Sequence, residues 1–390
     1  MNEKYCGFLF HCYQPPWQER RVFEDAPESG GMPPIDLYDK FFDLLLRCPK
    51  PIFTVNIGFS LIELLKNFGY DHVLEKLRKA AKQHKAEFTG SGAYHPILPL
   101  LPEGEAKRQI ALNEAGLKKF LGLARPNGFY SPELVFMPPM AGLLTKHNYC
   151  WLVTDDEHWQ TTHGGSVPYD FIPSMDGLGI FLQSRFWHKY ITDTRTGCDA
   201  NQFLGELESG LQNWFGDRRG YVVIAADAET FGHHIAGYFQ FLENLAGLSR
   251  GQTGSVKFAT LSEIFSAFPK RAANVPPSGW AMNGYDIQTQ NWFPLWKDKG
   301  NRFHELMWQI LAEVWKYAEG TNGETRLLAD KINNSCQFWW ISREHWDPGI
   351  AFMTAPFVVN FFKRRLGSLP KKVEFLFGEL EKETGRRIQR

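Results

Sequence analysis

The sequence predicts an α/β protein, with a parallel sheet or barrel followed by a helical region at the C-terminal end. Over about the first 270 residues, short apolar runs alternate with segments whose apolar residues recur at helical spacing. Polar, Gly- and Pro-rich clusters follow the apolar runs, and beyond about residue 300 only helical patterns occur. In parallel sheets and barrels, functional residues collect on loops at the carboxyl ends of the strands.

The predicted strands are residues 5–10, 52–56, 86–90, 128–130, 151–155, 180–187 and 221–227. The last of these, YVVIAAD, is the most strand-like because it is a continuous run rich in β-branched residues. Residues 58–68 and 106–122 have helical periodicity. Residues 257–268 (KFATLSEIFSAF) predict a last strand and helix.

The composition changes after this last helix. Residues 272–279 (AANVPPSG) resemble a linker, and helical patterns then follow at 302–319, 324–342 and 350–365. We therefore expect two regions, an α/β region at 1–270 and a mainly helical region at 271–390.

Charge and cysteine content exclude several classes of protein. The 43 basic and 43 acidic residues balance, which argues against a nucleic-acid partner and against a polybasic membrane-surface protein. The six cysteines are scattered, and no signal peptide or membrane-spanning run is visible, so the sequence predicts a cytoplasmic protein. Aromatic residues make up 15% of the chain, which fits either a sugar-binding cleft or a well-filled core.

The segment YVVIAADAETFGHH has the highest concentration of side chains that could take part in catalysis. It places Asp227, Glu229 and two imidazoles at one strand end, where partial burial would raise a carboxyl pKa as a general acid requires. A helix N-cap for Asp227 and a solvated surface for Glu229 explain the pattern equally well.

A second carboxylate, Glu133, lies in SPELVFMPPM among prolines and large apolar residues. Burial without a role would be costly, so the pattern favours function over an ion pair with a structural arginine. His11 in HCYQPPW and His95 in GAYHPILP each lie beside prolines that stiffen the loop. Histidine and glutamine side chains can serve sugar hydroxyls as donor and acceptor, and metal ligation by the histidines is the alternative.

Taken together, these segments resemble glycoside hydrolase family 57. The motifs that carry the resemblance are HCYQPP at 11–16, GSGAYHPILP at 90–99, GFYSPELVF at 128–136, ADAETFGHH at 226–234 and an aromatic-rich region at 280–308. The resemblance implies an incomplete (β/α)7 catalytic barrel over residues 1–270, with the region 271–390 adding aromatic residues to the cleft. It also implies that Glu133 is the nucleophile and Asp227 the acid/base.

The remaining expectations concern the substrate. The side chains expected to bind it are His11, Gln14, His95, Glu229, His233, His234, Trp280, Trp292 and Trp296. The resemblance implies an α-glucan oligo- or polysaccharide that is hydrolysed or transferred by double displacement. No HxH, HExxH or HxxxH-plus-carboxylate signature is present, so we expect no metal or other cofactor. Retention requires the two carboxyl groups to lie about 5–5.5 Å apart. The sequence does not indicate an oligomeric state.

Two other functions stay open. A metal-dependent polysaccharide deacetylase could use a similar irregular barrel, but it needs an Asp-His-His triad, and no aspartate lies near His11 in the sequence. A non-catalytic glucan-binding protein could keep the same fold. Bound zinc would favour the first function, and binding unaffected by Glu133→Gln would favour the second.

Overall fold

The computed structural model describes residues 3–123, 125–192, 198–251 and 255–388. Within these parts the strands are β1 (Lys4–Cys12), β2 (Phe53–Ile57), β3 (Glu87–Thr89), β4 (Gly128–Tyr130), β5 (Trp151–Asp155), β6 (Ile172–Met175), β7 (Leu178–Gln183), β8 (Gly220–Asp227), β9 (Val256–Phe258) and β10 (Lys270–Ala272).

The strands form two five-stranded sheets. The first has the order β3-β2-β1-β8 with β9 also beside β1, and the second has the order β10-β6-β7-β5-β4. All pairs are parallel except β6 with β7. Because β1 has strands on both sides, all of its residues are buried, as is typical of a continuous apolar run in a parallel sheet.

The two sheets meet at both ends. Gly90, just after β3, forms a parallel bridge with Phe129 of β4. At the other end, the Ser184 N–H donates to the Val223 carbonyl of β8 at 2.8 Å. The seven parallel strands β1, β2, β3, β4, β5, β7 and β8 thus lie side by side, but they form two separate sheets and not one continuous ring. This arrangement confirms the predicted α/β fold with an incomplete (β/α)7 barrel.

The helices of the α/β part are α1 (Arg20–Glu24), α2 (Pro34–Arg47), α3 (Phe59–Asn67), α4 (Asp71–Lys82), α5 (Glu103–Leu121), α6 (Pro139–Lys146), α7 (Glu157–His163), α8 (Arg185–Thr192), α9 (Ala200–Phe215), α10 (Phe239–Gly251) and α11 (Leu261–Ala267). The predicted helices at 58–68 and 106–122 are present as α3 and α5. Helix α5 ends where Gly122 takes a left-handed conformation with φ of 69°, which glycine adopts at little cost.

One predicted strand is wrong over part of its length. Residues 180–187 were expected to form a single strand, but β7 ends at Gln183 and α8 begins at Arg185. The Ser184 hydroxyl accepts a hydrogen bond from the Trp187 N–H at 3.4 Å. A serine in this position favours a helix start, because its side chain satisfies an amide that has no partner within the first turn.

The C-terminal helices are α12 (Gly284–Gln288), α13 (Arg302–Ala318), α14 (Gly323–Ile332), α15 (Cys336–Trp339), α16 (Pro348–Ala351), α17 (Ala355–Leu366) and α18 (Lys371–Ile388). They bury a second hydrophobic core that also includes Ile97 and Val135 from the α/β part. Strand β10 crosses the predicted boundary at residue 270 and pairs with β6. The division into 1–270 and 271–390 stays a prediction.

Candidate functional site

Glu133 lies three residues after β4, in a single 3-10 turn over Pro132–Leu134. Its backbone is left-handed, with φ of 61°, and Leu134 is also left-handed, with φ of 53°. Such conformations cost roughly 1–3 kcal/mol for a residue other than glycine, and they concentrate at functional sites. The turn therefore holds the Glu133 side chain in an orientation that an ordinary loop would not choose.

The Glu133 carboxylate is enclosed from two sides, and its side chain is 18% exposed. The Trp280 indole N–H donates to Oε2, and His95 Nδ1 lies 3.6 Å from Oε1. Burial, together with the charge of Asp227, raises the pKa of Glu133 to about 8, although hydrogen bonds from Trp280 and Ser335 favour the ionised form. This carboxyl group can therefore hold or release a proton near neutral pH.

Asp227 is the last residue of β8 and the one exposed residue of that strand. It stands opposite His11 in the register of β8 with β1. Desolvation by the surrounding protein raises the pKa of Asp227 above its ordinary value. Its charge in turn raises the pKa of Glu133, so the two carboxyl groups interact electrostatically.

Glu229 follows in the turn after β8 and is buried. Its Oε1 accepts hydrogen bonds from the Tyr38 hydroxyl and, at 3.4 Å, from the Gln14 amide. Burial and the charge of Asp227 raise the pKa of Glu229. Two residues predicted for the site, Gln14 and Glu229, are thus in direct contact.

Four rings form a column beside Glu133. Tyr13 stacks on His95 with centroids 4.2 Å apart, His95 on His11 at 4.8 Å, and His11 on Tyr130 at 4.4 Å. Burial lowers the pKa of His11 to about 4 and also lowers that of His95, so both imidazoles are neutral at pH 7.

Each imidazole is oriented through its Nδ1 atom. His11 Nδ1 lies 2.8 Å from Asn56 Oδ1, an acceptor, so His11 donates there and its Nε2 carries a lone pair. His95 Nδ1 lies 2.8 Å from the Ser335 hydroxyl. Asn56 lies in β2 beside His11 in the strand register, whereas Ser335 comes from the C-terminal helical region.

His233 and His234 lie farther along the turn that contains Glu229. Their backbone amides donate to the Glu229 carbonyl at 3.1 and 2.9 Å. His233 Nδ1 donates to the Met32 carbonyl at 2.8 Å, so its ring connects this turn to residues 31–32. The described contacts give these two histidines a role in shaping the loop, and their binding to substrate stays a prediction.

The three predicted tryptophans differ in exposure. Trp280 is 38% exposed and donates to Glu133, whereas Trp296 is fully buried beneath it, with ring centroids 6.3 Å apart. Trp292 packs partly buried against the second core. Of the three rings, Trp280 is therefore the one with both an exposed face and a contact to a candidate catalytic group.

Several residues of the site were not predicted from the sequence. Tyr13 and Tyr130 lie inside or beside the motifs and could have been found by asking which rings flank the histidines. Tyr38 and Ser335 lie in segments with no recognisable motif, so only folding brings them to Glu229 and His95.

Cavity size alone does not identify this site. A cavity of about 550 Å³ lies between residues 298–303, 342–343 and 383–387, and none of the predicted site residues lines it.

In the described parts of the chain, no group of three or more His, Cys, Asp or Glu side chains is arranged to hold a metal ion. Across those same parts, every helix is too short or too polar to cross a membrane.

A family model supports the resemblance seen in the motifs. The model described as Glycosyl hydrolase family 57 matches residues 17–276, about two thirds of the chain. The chain belongs to glycosyl hydrolase family 57. The matched range includes Glu133 and Asp227. His11 lies just before this range, and its ring stacks with those of His95 and Tyr130, which lie within it.

Relatives in the family differ in named activity. The chain is 30% identical to Alpha-amylase 1 of Dictyoglomus thermophilum over 159 residues, which is 40% of this chain and 21% of that protein. The 4-alpha-glucanotransferase of Thermococcus litoralis superposes with a TM-score of 0.72 at 18% identity, covering 93% of this chain and 60% of that one. The chain thus spans about a fifth of the curated amylase.

Two further solved structures align with this chain over most of their own length. An alpha-amylase from Thermotoga maritima superposes with a TM-score of 0.66 at 15% identity, covering 96% of both chains. A branching enzyme from Pyrococcus horikoshii superposes with a TM-score of 0.67 at 15% identity, covering 97% of this chain and 94% of that one. At these identities the structures establish the shared fold.

Proposed function

We propose that this chain acts on α-glucans as a retaining glycosidase, with Glu133 as nucleophile and Asp227 as acid/base. The observation that carries the proposal is the placement of two interacting carboxyl groups at the carboxyl ends of β4 and β8, with Glu133 oriented by Trp280. Membership of family 57, whose named members here include amylases, a glucanotransferase and a branching enzyme, supports the α-glucan as substrate.

The proposed reaction is a double displacement. A Glu133 carboxylate oxygen bonds to the anomeric carbon while the bond to the leaving sugar oxygen breaks and Asp227 donates a proton to that oxygen. Asp227 then takes a proton from water or from an acceptor hydroxyl, whose oxygen displaces Glu133. Hydrolysis and transfer differ in the acceptor alone, so the same two carboxyl groups support either outcome.

The raised pKa values of Glu133 and Asp227 affect which of the two carboxyl groups is protonated. The mechanism needs an ionised Glu133 and a protonated Asp227, whereas burial favours a proton on Glu133 in the free protein. A sugar ring that develops positive charge favours the Glu133 carboxylate, as does the Trp280 N–H, and the mutual repulsion of the carboxylates then places the proton on Asp227. Substrate binding is therefore expected to lower the pKa of Glu133 and to favour a protonated Asp227.

The neighbouring side chains supply the groups that a sugar ring needs. His11 and His95 are neutral and present Nε2 atoms without a partner among the described residues, and Gln14 and Glu229 form a polar pair. The exposed face of Trp280 can pack against the C–H face of a sugar. We assign these residues to substrate binding within the proposal.

The decisive experiment is product analysis with maltoheptaose for the wild type, Glu133→Ala and Asp227→Ala. Longer and shorter products from the wild type would identify a transferase, and shorter products alone a hydrolase. Proton NMR of the first product should show the α-anomer. Azide added to Glu133→Ala with an activated α-glycoside should form a β-glycosyl azide, because azide occupies the position of the missing nucleophile.

The matched control is Glu319→Gln, which removes the charge of an exposed glutamate outside the site and should leave turnover unchanged. A β-anomeric first product would refute retention. Glucan binding without turnover, unchanged in Glu133→Gln, would replace the proposal with a non-catalytic binding protein. Turnover that survives in both alanine variants would refute the assignment of the two residues.

A further inference from the structure

A buried charge network lies behind the candidate nucleophile and is not part of the proposed chemistry. Its centre is Arg185, the first residue of α8, whose side chain is 19% exposed. Arg185 Nη2 lies 2.9 Å from the carboxylate of Asp155, which is 1% exposed at the end of β5. The guanidinium also pairs with Glu157.

The same guanidinium contacts the loop that carries Trp280. Arg185 Nη2 donates to the Trp280 carbonyl at 2.8 Å, with longer contacts of 3.4 Å to the Met282 carbonyl. A guanidinium can reach these carbonyls and the Asp155 carboxylate together because its donors are fixed in a planar fork. Arg185 therefore joins the Trp280 loop to the end of β5.

The Trp280 loop also bears directly on Glu133. The Trp280 backbone N–H donates to the Glu133 carbonyl at 3.4 Å, and its indole N–H donates to the Glu133 carboxylate. Phe136 and Ser278 exchange two backbone hydrogen bonds of 2.7 and 3.0 Å. A displacement of the Trp280 backbone would therefore change the direction of the indole N–H.

On its other side, the network reaches the strand of Asp227. Asp155 Oδ2 accepts from the Gln183 amide at 3.2 Å, and Gln183 Oε1 accepts from the Ala225 N–H at 3.0 Å. Ala225 lies two residues before Asp227 in β8. Contacts from one buried ion pair thus extend towards both candidate catalytic carboxyl groups.

We propose that Arg185 is a positioning residue that holds the Trp280 carbonyl against Asp155 and so keeps the Trp280 indole directed at the Glu133 carboxylate. This inference rests on the proposed function of Glu133 as nucleophile. Neutralising Asp155 would need only a positive charge, whereas positioning Trp280 needs a donor that bridges Asp155 and the carbonyl at once. Arg185→Lys separates the two roles because it keeps the charge and loses the fork.

The first measurement does not depend on activity. The chain has 13 tryptophans, and the Trp280 indole signal in a ¹H–¹⁵N spectrum of ¹⁵N-tryptophan-labelled protein is the one lost in Trp280→Phe. In spectra recorded above the Glu133 pKa of about 8, where the carboxylate is ionised, its proton shift should change in Glu133→Gln, which removes the charged acceptor. In Arg185→Lys it should move towards the Glu133→Gln position, and in the control Arg21→Lys, an arginine with a side chain 87% exposed, it should stay.

The second measurement is a double-mutant cycle in kcat/KM. Arg185→Lys should lower kcat/KM roughly 10- to 100-fold, mainly through kcat, because misplacement of a catalytic group by about 1 Å costs up to that much. In the Trp280→Phe background, Arg185→Lys should lower kcat/KM little further, because the indole N–H that Arg185 positions has already been removed. Should the lysine variant fail to fold, Arg185→Gln serves the indole measurement alone, because it also removes the fork but does not keep the charge that balances Asp155.

The outcomes are separable. An unmoved indole signal in a folded Arg185 variant, or additive losses in the cycle, would overturn the positioning role while leaving Glu133 as nucleophile. An inactive wild type would refute the proposed function, and the indole spectrum would still decide whether Arg185 directs Trp280 at Glu133. A moved signal with non-additive losses supports both.

Discussion

The hydrogen bond from the Trp280 indole to Glu133 leads to a quantitative prediction for Trp280→Phe. Phenylalanine keeps an aromatic ring at the partly exposed position and removes the N–H. A hydrogen bond to a charged group contributes about 1.5–3 kcal/mol, and 1.36 kcal/mol corresponds to one pH unit. Because the N–H favours the ionised carboxylate, its loss should raise the pKa of Glu133 further.

In the free protein the pKa of Glu133, about 8, lies above that of Asp227, so the ionisation of Glu133 bounds the alkaline side of the profile of kcat/KM against pH. This alkaline limb should therefore move upward by about one to two pH units in Trp280→Phe. The assay is the initial rate on a chromogenic α-maltooligoside between pH 4 and 11, with both limbs fitted in both proteins. Loss of sugar stacking alone would raise KM and leave the limb in place. An unmoved limb, or one that moves to lower pH, would refute the role of the N–H in keeping Glu133 ionised.

Three further predictions concern stability. Glu133→Gln should be more stable than the wild type at pH 8 by up to a few kcal/mol, with the difference shrinking towards pH 4.5 in urea unfolding, because a carboxyl group whose pKa rises on folding opposes ionisation in the folded state. Gly128→Ala should lower the melting temperature, since its added Cβ would lie 2.0 Å from the Trp151 ring, whereas Gly104→Ala, with nothing within 4 Å, should not. Asp330→Ala should cost about 1.5–3 kcal/mol, because it removes the buried acceptor of Arg108 and Arg326, while Arg326 keeps its ion pair with Glu105.

Each of these results has a clear opposite. If the free energies of unfolding of Glu133→Gln and the wild type depend equally on pH, folding does not raise the pKa of Glu133. Equal melting temperatures for the two glycine variants would mean that the start of β4, at Gly128, can shift away from the neighbouring strand at little cost. A loss below about 1 kcal/mol on removing the Asp330 carboxylate would mean that solvent reaches the pair and screens it.

The amino-acid sequence was sufficient to predict the fold class and to single out the two carboxyl groups that the proposal uses, because both predictions rest on short contiguous segments. Alternating apolar runs and helical periods specify a parallel α/β arrangement, and Asp227 can be recognised from the strand that precedes it. Glu133 stands out in the sequence because prolines and large apolar residues flank it, whereas the left-handed backbone of its turn is seen in the structure alone.

The identity of the side chains that contact those carboxyl groups depends on the tertiary fold. Ser335 reaches His95 from 240 residues away, and Trp280 reaches Glu133 from 147 residues away. The fold also separates Trp280, with an exposed face, from Trp296, which lies in the core although the two are close in sequence. Such contacts depend on how the C-terminal helices pack on the sheet, and burial, which sets the pKa of a carboxyl group, depends on all the neighbours that packing brings together.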